Sequence, residues 1–71
     1  MSIEVRFGKR VRLLRKALCI SQEELSFRSK LHKNYICDLE NGRRNVSLRA
    51  IEQLAIGLNV KIKDLMDLES E

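Results

Sequence analysis

The sequence predicts an all-α protein. Apolar residues recur at spacings of three and four through most of the chain. Serines suited to starting helices, and Asn or Gly suited to ending them, fall between the periodic stretches. No segment shows the polar–apolar alternation of a strand, an internal repeat or low complexity. The pattern divides the 71 residues into five short helices.

The first helix carries its stripe on Ile3, Phe7, Val11, Leu14 and Leu18, spaced by 4, 4, 3 and 4. Arg6, Lys9, Arg10, Arg12, Arg15 and Lys16 lie between them, so the remaining faces are cationic. Cys19-Ile20 breaks the pattern. Ser21-Gln22-Glu23-Glu24 is a capping box, in which the serine hydroxyl accepts from the Glu24 amide and the Glu24 carboxylate reaches back. It starts a short second helix with Leu25, and Phe27 or Arg28, turned inward, ending near Ser29-Lys30. A third helix runs from His32 to Glu40 with Ile36 and Leu39 inward. Asn41-Gly42 stops it, since glycine adopts the left-handed conformation at little cost. Ser47 caps a fourth helix striped by Leu48, Ile51, Leu54, Ala55 and Leu58, and Asn59 ends it. Ile62, Leu65, Met66 and Leu68 mark a fifth, at about residues 61–68, ahead of an acidic tail that should fray.

A chain of 71 residues makes a single domain, 1–71, with one modest core, and an apolar content of 44% makes that core feasible. No run of apolar residues is long enough to span a membrane. The N-terminal MSIEVRFGKR lacks the apolar stretch of a signal peptide, so the expected location is the cytoplasm. Cys19 and Cys37 are far apart and fit no metal or redox motif, which reads as free thiols. With His32 they supply too few ligands for a metal site. No cofactor, catalytic constellation or small-molecule substrate is indicated. Charge is uneven. Residues 1–49 hold twelve Lys/Arg against five Asp/Glu, and residues 50–71 hold two against five. An excess of +7 over the first two-thirds makes a polyanion a reasonable partner.

A capped helix, a short turn and a second short helix form a helix-turn-helix at about residues 21–40. The stretches SQEELSFRSKLHKNYICDLENGRR and SLRAIEQLAIGLNV resemble the lambda-repressor-like, or XRE-type, DNA-binding family. Within it, the small size and the YI…E…RRNVSL run are similar to controller proteins of restriction–modification systems. The resemblance implies a recognition helix whose first turn, His32, Lys33, Asn34 and Tyr35, enters the major groove of double-stranded DNA. Asp38, one turn on, matches a position that sometimes also reaches bases. Gln22 matches a phosphate contact, and Arg43, Arg44 and Asn45 match backbone contacts. Arg15 and Glu40 match a partly buried ion pair, and the fifth helix matches a dimerisation segment. Ile62, Leu65, Met66 and Leu68 are therefore the expected dimer interface. There are departures: Lys30 stands where the family most often has glycine, Ser26 where it usually has alanine, and Cys37 and Asp38 where smaller or neutral residues are more typical.

The side-chain chemistry suits those roles. Lys33 can donate to guanine N7 and O6, and Asn34 can pair with adenine N6 and N7, or both can be solvated helix-surface residues. Tyr35 can pack on a thymine methyl, bond a phosphate, or simply half-bury on the helix flank. His32 can contact DNA or serve only as a helix-start residue, and Gln22 has the same two options. Arg43 and Arg44 are suited to the backbone or a narrow minor groove, the alternative being a plain solvated loop. The expectation is a homodimeric regulator binding a pseudo-palindromic operator and controlling its own promoter and a neighbouring endonuclease gene. The alternative is an antitoxin or phage-type repressor whose main partner is another protein. Against the antitoxin, only Glu69-Ser70-Glu71 follow the last stripe.

Overall fold

Five helices follow one another in the computed structural model, which describes residues 1–69: α1 (Ile3–Ala17), α2 (Gln22–Ser29), α3 (Lys33–Glu40), α4 (Leu48–Leu58) and α5 (Ile62–Leu65). The expected tail residues Ser70 and Glu71 lie outside the described residues. Among those described, no helix is long and apolar enough to cross a membrane.

Hydroxyl caps start three of the helices. Ser2 Oγ accepts from Val5 N at 3.2 Å, Ser21 Oγ from Glu24 N at 3.0 Å and Ser47 Oγ from Ala50 N at 3.1 Å. The capping box at α2 is one-sided, because the Glu24 carboxylate takes the Arg28 guanidinium at 2.8 Å. The helix ends use left-handed residues. Gly42, at φ 74°, follows α3; its amide bonds Leu39 O at 3.0 Å and the next amide, Arg43 N, bonds Asp38 O at 2.9 Å. That pair of bonds is the Schellman motif. Cys19 and Asn59 end α1 and α4 in the same left-handed region, both at φ 57°.

The core gathers Phe7, Val11, Leu25, Ile36, Leu39, Leu54, Ala55, Leu58, Leu65 and Leu68 from all five helices and the segment after α5. α2 packs mainly on α4, and α1 on α3. The α1–α3 crossing is tight because Gly8 has no side chain: a Cβ there would collide with the Leu39 carbonyl and sit 2.9 Å from that of Glu40.

Several sequence expectations need correction. Phe27 is 80% exposed, so Leu25 alone of the expected pair turns inward on α2, and Arg28 is also exposed. Leu48 is 86% exposed and Ile3 and Leu18 lie at the surface, because each sits at a helix end, beyond the neighbouring helices. The fifth helix is a single turn rather than a span of 61–68. The largest correction concerns the expected dimer residues. Leu65 is wholly buried and Leu68 nearly so, both within the chain's own core. Only Ile62 and Met66 stay accessible, at 48% and 37%. α5 is held there by Arg10, whose Nε and Nη2 both donate to Asp64 O, at 3.0 and 2.8 Å.

Candidate nucleic-acid interface

Three residues, Lys30, Leu31 and His32, join α2 to α3. Lys30 takes the left-handed conformation, φ 62°, where a non-glycine side chain costs on the order of 1 kcal/mol. The second departure offsets the first. Ser26 Oγ donates to Leu31 O, a bond that alanine would lack, and Ser29 Oγ accepts from Leu31 N at 3.3 Å. Gln53 of α4 adds a bond to Ser29 O at 3.3 Å. The turn is thus fixed by side chains of α2 and, through Ser29, tied to α4.

His32 is the N-cap of α3 rather than its first residue. Its Nδ1 accepts from Asn34 N at 3.1 Å, which in the neutral ring leaves the proton on Nε2. The helix-start role is therefore filled, and one ring nitrogen remains for an outside partner. Lys33 and Asn34 follow at the first two helical positions, both exposed. Further along the helix Ile36 and Leu39 are buried, 0% and 1% exposed. The later turns of α3 are thus committed to the core through Ile36 and Leu39, and its first turn presents an ammonium and a carboxamide to solvent.

The far end of α3 is anchored by charge. Arg15 donates from Nε to Glu40 Oε2 at 2.7 Å and from Nη2 to Oε1 at 3.0 Å, and its Nη1 bonds Ile20 O at 2.8 Å. Both residues are buried. Hydrogen bonding to Glu40 raises the Arg15 pKa, burial opposes this, and the carboxylate's charge raises it further. Gln22 joins this network, with Nε2 donating to Glu40 Oε1 at 3.0 Å. Its carboxamide thus already has an internal partner and is half-buried, leaving its oxygen and one amide proton for other contacts.

Arg43, Arg44 and Asn45 lie exposed after the Gly42 turn. Sequence reasoning treated Tyr35, Asp38 and Arg44 as separate contacts, whereas the structure brings them together. Arg44 Nη2 is 3.4 Å from Asp38 Oδ2, and its Cζ is 5.2 Å from the centre of the Tyr35 ring. The spacing of three between Tyr35 and Asp38 signals a shared flank. The return of Arg44 depends on the Schellman turn, which the sequence signals only as Asn41-Gly42.

A capped helix, a three-residue turn and a second helix with one buried and one polar face define a helix-turn-helix protein. The comparisons agree. A family model described as helix-turn-helix matches residues 11–65. Control protein C.BamHI of Bacillus amyloliquefaciens is 46% identical over 67 residues, covering 93% of this chain and 83% of that protein. Control protein C.MunI of a Mycoplasma species is 38% identical over 71 residues, covering 97% and 96%. The crystal structure of the restriction–modification controller protein C.AhdI from Aeromonas hydrophila superimposes with a TM-score of 0.85 at 45% identity, covering 87% of this chain and 94% of that one. The chain belongs to the XRE-type helix-turn-helix family of DNA-binding transcription regulators, and it is similar to restriction–modification control proteins.

Proposed function

We propose that the protein is a cytoplasmic homodimer that binds a pseudo-palindromic operator and regulates its own promoter and the gene of a neighbouring restriction endonuclease. The observation that carries this reading is the exposure of His32, Lys33 and Asn34 at the start of a helix whose Ile36 and Leu39, further along, are fully committed to the core. A helix so held can enter a major groove without rearranging the domain. Lys33 and Asn34 supply base-edge donors and acceptors, with His32 Nε2 and Tyr35 beside them. Arg43 and Asn45 are suited to the backbone. Gln22 reaches a phosphate with the amide proton that Glu40 leaves unused.

A two-fold partner is favoured by apolar surface near α5. Ile62 lines a shallow depression with Leu48 and Ile51, and Met66 lines another with Ile3 and Phe7. Covering these on a second copy would bury apolar surface that a lone domain leaves in water. Symmetry in the protein would then be mirrored in the DNA, with half-sites about 10 bp apart.

Selection from a random duplex library, followed by footprinting of the enriched sequence, tests this. The expected result is protection of two inverted half-sites about one helical turn apart. Enrichment of no sequence, or of a site without two-fold symmetry, contradicts the reading.

A further inference from the structure

Tyr35 and Asp38 stand three residues apart and share one half-buried flank of α3. Because the Gly42 turn folds the chain back, Arg44 returns over that flank and lies between a carboxylate at 3.4 Å and a ring face at 5.2 Å. The side chains of the ion pair are 49% and 37% exposed, so water competes for both groups and the hold is weak. Arg43, one residue earlier, forms no ion pair among the described residues. Two adjacent arginines therefore present themselves differently, one open and one held.

We propose that Asp38 is a specificity-determining residue that acts through Arg44, holding its guanidinium on random DNA and releasing it where cytosine meets the carboxylate. The proposal rests on the DNA-binding reading above. A guanidinium paired with a carboxylate offers a phosphate no net charge, so it adds no counterion-releasing contact on an arbitrary duplex. At a target site Asp38 accepts from the cytosine N4 amine. That bond replaces the one to Arg44, and the freed guanidinium turns to the DNA backbone. The two exchanges support each other. A wrong base takes up neither role, and leaves an anion among phosphates if Arg44 departs.

The test uses the full chain and two duplexes of equal length, one recovered by library selection and one of random sequence. Binding of wild type, Asp38→Asn, Arg44→Ala and the double variant is measured by fluorescence anisotropy across a salt series, and melting curves check each fold. Asp38→Asn is expected to bind random DNA about three- to tenfold more tightly, with a salt slope steeper by about 0.9 per protomer. Its preference for the selected duplex should narrow, and the gain on random DNA should vanish in the Arg44→Ala background. A gain of equal size in both backgrounds overturns the proposal, since Asp38 then acts only by its own repulsion of DNA; so does no gain at all. Failure of the wild type to bind either duplex removes the DNA-binding reading and this proposal with it.

Discussion

Arg15 meets Glu40 edge to edge, through two parallel hydrogen bonds of 2.7 and 3.0 Å, and so ties α1 to the last turn of α3. With both groups buried, removing one strands the other. Arg15→Ala or Glu40→Ala is expected to lower unfolding free energy by roughly 3–5 kcal/mol, read by urea titration. Gln22→Ala removes only a third bond to the same carboxylate and should cost about 1 kcal/mol. The raised Arg15 pKa sets the pH behaviour. Stability from a cation with a raised pKa is fully present below its unfolded pKa and is lost only as pH rises through the folded one. For arginine that window lies far above neutrality, so proton release from Arg15 should leave stability unchanged between pH 6 and 9, roughly.

The α2–α3 turn supplies a prediction of opposite sign. Lys30 occupies the left-handed region that glycine adopts without strain. Lys30→Gly should therefore raise stability by up to about 1 kcal/mol. Gly8→Ala should do the reverse. The added Cβ meets backbone carbonyls of Leu39 and Glu40, which cannot swing aside, and a loss of about 1–3 kcal/mol is expected. Thermal melts of both variants beside wild type check the pair.

These positions also show what was legible in the sequence. Ser21, Ser47, Gly42 and Asn59 act locally, through bonds to residues three to five away, and their types announce their roles. The stripe of α4 is long enough for its buried side to be read, apart from Leu48 at the end. α2 has only eight residues, two turns, in which Phe27 fits an inward pattern as well as Leu25 does. Only packing on α4 decides between them. Gln22 could not be read for a similar reason: its partner is 18 residues away and joined through tertiary contact. Leu65 and Leu68 look like surplus apolar residues until Arg10, 54 positions before Asp64, folds α5 back over the core. The family resemblance singled out candidate residues, but whether each side chain is already engaged within the chain had to come from the structure.

Burial divides the α5 residues into two groups with different expected outcomes. Met66→Glu or Ile62→Glu places charge on accessible apolar surface. Either should yield a monomer by sedimentation equilibrium at tens of micromolar, with helical circular dichroism close to wild type. Leu65→Glu instead buries a carboxylate in the core, and should lower the unfolding midpoint sharply, whatever the association state. Should wild type be monomeric at that concentration, on DNA and off it, the dimer proposal is lost.

The final prediction separates reading from gripping. Lys33 and Asn34 are exposed at the start of α3, while Arg43 is exposed beyond its end, positioned by the amide bond to Asp38 O. Loss of a base contact in Lys33→Ala or Asn34→Ala should cost roughly 1–3 kcal/mol per half-site on the operator and scarcely alter binding to random duplex. Preference should relax at one base position in each half-site. Arg43→Ala should instead weaken operator and random DNA alike, and reduce the salt slope by about one per protomer. Single-base operator variants at fixed salt, together with a salt series, measure both effects. Equal losses on operator and random DNA for Lys33→Ala and Asn34→Ala would make those residues electrostatic only. Sequence would then be read by Tyr35 and Asp38, on the same helix, or through the deformability of the DNA.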